Sequence, residues 1–168
     1  AKYIFKLHSG EAFNKANLID NGKYSVYGGG ELIGYCDKYN VPEKSILIGR
    51  VGARCGCVTE LNKCAWATDN ALIIHASQAS KYIFFVLTSA NLNRLNDSNA
   101  QPLITATKIL NIFIPVPPVE EQEEISAYLD EKCKTIDKII SDKKQQIKTI
   151  EDYKKSLIYE YVTGKKEI

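Results

Sequence analysis

"PVPPVEEQEEISAYLDEK" occupies residues 115–132 and divides the chain into two kinds of sequence. Pro115, Pro117 and Pro118 stop any strand that reaches them, because proline has no N–H to give to a ladder. Glu120, Glu121, Glu123 and Glu124 then fall in the first turns of a helix, where carboxylates complement the positive end of its dipole. No helix breaker follows until Gly164. From Leu129 onward, Cys133, Ile136, Ile140, Ile147, Ile150, Leu157 and Tyr161 follow alternating steps of four and three, provided Lys143 and Lys154 are counted at their slots. That is a heptad seam with two polar positions. About forty residues at ~1.5 Å each make a rod of roughly 60 Å. A seam packed on its own domain and a seam packed on a partner helix both fit, with a kink near 132–135 allowed. The length favours a partner, in cis or in trans.

Before this point the sequence reads as short strands broken by glycine turns. Nine of the ten glycines lie at or before Gly56. Strands are predicted near 24–27, 32–35, 45–50, 56–61 and 70–76. The runs "SILIGR" and "NALIIHA" have strand length. One helix is predicted over 80–95, with Tyr82, Phe85, Val86 and Leu92 on one face. "NAQPLITATKIL" reads as a loop leading into a short helix, and "NIFIPV" as a final strand. The run Gly28 to Gly30, between aromatic strand-like pieces, calls for a turn with φ > 0 or a close backbone approach.

The 168 residues suffice for one large domain, or one domain and an appendage, and 45% hydrophobic content argues against general disorder. No apolar run approaches a membrane span. The opening "AKYIFKLHSGEAF" lacks a signal-peptide pattern, and five cysteines, an odd number, suit a reducing compartment. A cytoplasmic protein is expected. The net charge of +2 hides a division: residues 1–119 carry +4 and residues 120–168 carry −2.

Catalytic patterns are mostly absent. The glycines miss both common nucleotide-loop spacings, in "GRVGARCGC" as well. His8 and His75 are far apart in sequence, and His75, ending an apolar run, reads as structural. Cys55, Cys57 and Cys64, with Cys36 upstream, raise the question of zinc, but C-x-C followed by a lone cysteine is not the paired spacing. On a strand Cys55 and Cys57 would share one face, as a buried pair does. What remains is basic and polar residues on turns: Lys15, Lys23, Arg50, Arg54, Lys63, Asn70 and Gln101, with Tyr27 and Trp66 nearby. Arg and Lys satisfy phosphates, and Arg, Asn and Gln read base edges. A solvated face would look similar.

Two stretches carry a resemblance. "YSVYGGGELIGYCDKYNVPEKSILIGRVGARCGCVTELNKCAWATDNALII" resembles the target recognition domain of type I restriction–modification specificity subunits. It has the Y-x-V-Y-G-G start, the I-G-Y turn, the I-L-I-G-R-x-G strand end and the W-A-T-D segment. "NIFIPVPPVEEQEEISAYLDEKCKTIDKII", continued by "YKKSLIYEYVTGK", is similar to the family's exit into its long helix. The resemblance implies an α+β fold: a mixed, β-rich globular recognition domain over 1–119, a long coiled-coil-forming helix over 120–162 and a tail over 163–168.

The same resemblance implies a noncatalytic subunit that reads one half of a bipartite double-stranded DNA target. Its helix would dock modification (methyltransferase) subunits, and those partners would carry S-adenosylmethionine and methylate adenine. This chain would bind no cofactor and no metal. Restriction subunits are a further partner the family allows. Consistently, the prolines of "VPPV" lack the context of an amino-methyltransferase catalytic loop. One recognition domain and one helix stand where the family pattern has two of each, so a half-sized subunit or a fragment is expected. The missing Trp-containing lead-in favours truncation. A homodimer through antiparallel helices would restore the second half.

Lys23, Tyr27, Arg50, Arg54, Lys63, Asn70 and Gln101 are the expected DNA contacts. Ile136, Ile140, Ile147, Ile150 and Leu157 are the expected dimer seam. Two rivals stay open: an enzyme acting on nucleic acid through carboxylates such as Asp37 or Asp69, and a coiled-coil adaptor whose head binds protein.

Overall fold

The structure is a computed structural model that describes residues 1–75, 77, 80–96 and 102–167. It divides into two units, Ala1–Glu123 and Glu124–Ile168. Among the described residues the first holds seven strands: β1 (His8–Ser9), β2 (Tyr24–Gly28), β3 (Glu31–Cys36), β4 (Ile46–Gly49), β5 (Val58–Glu60), β6 (Ala65–Ala67) and β7 (Ala71–Ile74). It also holds helices α1 (Ser80–Ser89) and α2 (Ala106–Leu110) and the start of α3 (Val119–Val162), most of which forms the second unit. The fold is α+β, with mixed sheets followed by a long helix.

The runs "ILIG" and "ALII" are apolar without a break because both strands are covered on two sides. β4 and β7 are the central neighbours of an antiparallel sheet ordered β1-β7-β4-β5, and every residue of both is buried. Successive side chains point to opposite faces. Ile46, Ile48, Leu72 and Ile74 join a core cluster with Ile83 and Leu87 of α1, Ile109 of α2, Leu92 and Ile104. Leu47, Ala71 and Ile73 join a second cluster with Val41, Leu61, Ala65 and Ala67. The second cluster reaches the other sheet, ordered β3-β2-β6, in which β2 pairs antiparallel with β3 and parallel with β6. Helices, a four-stranded sheet and a three-stranded sheet are thus stacked in layers.

Three local expectations are corrected. The helix expected over 80–95 ends at Ser89; Asn91 takes a left-handed conformation (φ 46°), and Leu92–Leu95 forms a separate 3-10 turn. Asparagine tolerates that conformation, which terminates a helix. The buried face of α1 is Ser80, Tyr82, Ile83 and Leu87, whereas Phe85 and Val86 are half-buried. Secondly, "NIFIPV" forms no strand. Ile112 and Ile114 still turn inward onto the first cluster. Instead of a ladder, carbonyls at its proline end take single bonds. The Tyr82 hydroxyl donates to the Pro115 carbonyl (3.2 Å), and Gln122 Nε2 donates to that of Pro117 (2.8 Å). Thirdly, Cys55 and Cys57 share no strand face. A 3-10 turn at Gly52–Arg54 and a positive φ at Gly56 (83°) separate them, so Cys55 is buried and Cys57 half-buried.

In the second unit α3 runs without interruption to Val162 and stops at Gly164, which has φ 71°. The Lys165 N–H donates to the Glu160 carbonyl (2.9 Å), closing the terminus with a glycine cap. Ile136, Ile140, Ile147, Ile150 and Leu157 are all exposed. No helix among the described residues is long and apolar enough to cross a membrane.

Candidate nucleic-acid interface

The three glycines are explained by a tight hairpin and by what its tip touches. Gly29 (φ 62°) and Gly30 (φ 86°) form the two-residue link between β2 and β3. Positive φ at both positions is what a type I′ turn, a common link of that length, requires. The tip is laid on the end of β4: a Cβ on Gly49 would stand 2.0 Å from the Arg54 carbonyl oxygen and 2.4 Å from that of Gly29. The close approach is therefore to the protein's own backbone.

Three loops meet at this tip. The Arg50 N–H donates to the Asn70 carbonyl (3.0 Å), and the Arg50 carbonyl accepts from the Ile104 N–H (2.9 Å). Cys55 Sγ lies 3.3 Å from the same Arg50 carbonyl. The Asn70 N–H reaches Thr68 Oγ1 at 3.4 Å. Beside the tip is a cleft of about 220 Å³ whose lining includes Lys15, Gly28, Gly29, Val51, Asp69 and Asn70. Arg50 is half-buried, and its Nε has no hydrogen-bond partner among the described residues. Arg54 is exposed and pairs loosely with exposed Glu31 across 3.9 Å, a contact worth little in water.

The other expected contacts stand apart. Tyr27 and Lys63 line a separate cleft of about 180 Å³ with Ser25 and Glu60. Lys23 precedes β2, at the opposite end from the tip, with Nζ 5.1 Å from the Tyr24 ring centre. The Tyr24 phenol beside it raises the Lys23 ammonium above its ordinary pKa. Gln101 lies outside the described residues. Lys15 is one of the basic turn residues of the sequence but not one of the expected DNA contacts, and Asp69 enters there only as a catalytic carboxylate. Nothing in its spacing places Lys15 beside Asn70, whereas Asp69 is the residue directly before it. Trp66 is half-buried against Phe13 (ring centres 5.5 Å apart).

The arrangement offers cations and amides, a chemistry of hydrogen bonding and charge. Asp37 and Asp69 line different clefts. Among the described residues no group of three or more His, Cys, Asp or Glu is placed to hold a metal ion, and the cysteines are free thiols.

Residues 2–149 match the family model described as "Type I restriction modification DNA specificity domain". Over 133 residues the chain is 30% identical to the EcoprrI specificity subunit of Escherichia coli, an alignment covering 76% of this chain and 33% of that subunit. Among solved structures, the type I restriction–modification S subunit from M. genitalium superposes with a TM-score of 0.74 at 22% identity. That superposition covers 83% of this chain and 39% of the other. A structure described under complex assembly and conformational transition of the type I system superposes with a TM-score of 0.72 at 15% identity, covering 94% of this chain and 43% of that one. A mixed-sheet head with a long exit helix is thus the fold of a class of specificity proteins. The chain belongs to the type I restriction–modification DNA specificity domain family, and it spans about a third of the E. coli relative's length.

Proposed function

We propose that this chain is a noncatalytic, sequence-specific DNA-binding subunit that reads one half of a bipartite target and docks methyltransferase subunits through its long helix. The observation that carries the reading is the meeting of the Arg50, Arg54 and Asn70 loops at the Gly29–Gly30 tip, in a chain of this family. Arginine and asparagine are the side chains that contact phosphates and base edges. Adenine methylation and S-adenosylmethionine belong to the modification subunits, and cleavage to restriction subunits where those are present. The site of action is the cytoplasm. The exposed seam of α3 pairs with that of a second copy, antiparallel, so that a two-fold axis sets one head near each end. Such symmetry reads inverted, identical half-sites separated by a nonspecific gap.

The deciding experiment is to express the chain with its modification subunit and map the methylated adenines. The pure chain, incubated with DNA and labelled S-adenosylmethionine, should transfer no methyl groups until that subunit is added. Robust transfer by the chain alone would reinstate the enzyme reading.

The interface is tested by salt. Arg50→Ala and Arg54→Ala should each weaken DNA binding and flatten the slope of log affinity against log salt, by about one unit where a phosphate contact is lost. Lys165→Ala and Lys166→Ala should do neither. The reverse pattern would move the site onto the long helix.

A further inference from the structure

We propose that His8 and His75 form a two-imidazole site for a divalent transition-metal ion of the nickel, copper or zinc class. β1 is an edge strand of two residues, antiparallel to β7, with His8 opposite Ile73 and Ser9 opposite Leu72. His75 follows β7 by one residue, so it is the diagonal cross-strand neighbour of His8, on the same side of the sheet. Diagonal pairs lie within reach of ring side chains. The fold brings the two rings to 5.1 Å between centres, tilted by 45°.

That spacing suits chelation. Metal–imidazole bonds of about 2.1 Å at right or tetrahedral angles set the two nitrogens about 3.0–3.4 Å apart, and hence the ring centres roughly 4.5–5.5 Å apart. Both histidines are exposed, and neither ring has a hydrogen-bond partner among the described residues. Their nitrogens are therefore available without breaking anything. Imidazole donors favour nickel, copper and zinc over magnesium or calcium. No third His, Cys, Asp or Glu joins the pair among the described residues, so water fills the remaining positions.

The site has a structural consequence. Beyond their two-residue ladder, the chain after β1 is held by the Gly10 N–H on the Ala71 carbonyl (3.0 Å) and the Glu11 N–H on that of Ala67 (3.1 Å). It then runs on to Phe13 and Lys15, which line the cleft beside Asn70. An ion bridging His8 and His75 would fasten β1 to β7 just upstream of that cleft, and would stabilise the folded state by binding it alone.

The test uses the untagged full chain under reducing conditions, titrated with Ni²⁺ and followed by paramagnetic broadening of its amide and imidazole resonances. Broadening should centre on His8 and His75. His8→Gln and His75→Gln, both at exposed positions, should each weaken Ni²⁺ binding by at least about tenfold, since a second donor already in place multiplies affinity. Broadening centred on the cysteines or elsewhere, its absence at millimolar Ni²⁺, or a smaller loss in either variant would overturn the proposal.

Discussion

Replacing Ile140 and Ile147 together by glutamate should leave the chain monomeric at concentrations where the unaltered chain is a dimer. Both side chains are exposed on the single chain, at 45% and 58%. They sit on the four-and-three ladder with Ile136, Ile150 and Leu157. Two-fold symmetry makes each substitution count twice. Full burial of an isoleucine contributes about 1.5–3 kcal/mol, so four lost side chains remove several kcal/mol before any carboxylate is desolvated. A loss of about 5 kcal/mol already raises a dissociation constant by more than a thousandfold. The heads should stay folded, because neither residue belongs to the core clusters of the first unit. Light scattering reads the mass, and Trp66 fluorescence reads the head. An unaltered chain that is monomeric at tens of micromolar would end the dimer proposal. In the proposed dimer Lys143 and Lys154, at seam slots, would set register, since a polar residue there trades stability for specificity.

The second large effect belongs to Gly49→Ala. The added Cβ would stand 2.0 Å and 2.4 Å from two backbone oxygens, those of Arg54 and Gly29. Backbone atoms cannot rotate aside as a side-chain end can, so the hairpin tip and the end of β4 must separate. A destabilisation of about 3 kcal/mol or more is expected, at the upper end for overpacking. Gly52→Ala is the internal comparison. Its φ of 72° makes alanine strained, but a Cβ there meets nothing within 4 Å. It should cost only about 1 kcal/mol. Urea melts of the two variants check the difference. Equal effects would mean that the tip is not seated on β4. Because the tip also gathers Arg50, Arg54 and Asn70, Gly49→Ala should impair DNA binding beyond the loss of folded protein.

The loops gathered at the hairpin tip depend on contacts between residues distant in sequence. Arg50, Arg54 and Asn70 are legible as polar residues on glycine turns, and the structure places all three around one hairpin tip. Lys15, which shares the cleft with Asn70, is 55 positions earlier in the chain. Lys23 belongs to the same polar set by composition, yet it lies at the far end of β2. Sequence proximity to the glycines grouped Tyr27 with them, whereas pairing of β2 beside β6 puts Tyr27 in a cleft with Lys63.

By itself the sequence determined the division into a β-rich head and a long helix, the start of that helix after Pro118 and its stop at Gly164. It also determined a glycine turn between two aromatic strands. These signals act within one or two turns of chain: a missing N–H, a carboxylate near a dipole, a residue free to take positive φ. Only the tertiary structure decided that "NIFIPV" forms no ladder, that α1 buries Ile83 and Leu87 in place of Phe85 and Val86, and that His8 faces His75. An extended segment becomes a strand only if a partner's N–H and C=O groups lie alongside it. A helix face is chosen by the sheet it lands on. Two side chains become neighbours through the register of β1 on β7, and no residue carries those long-range pairings in its own propensity.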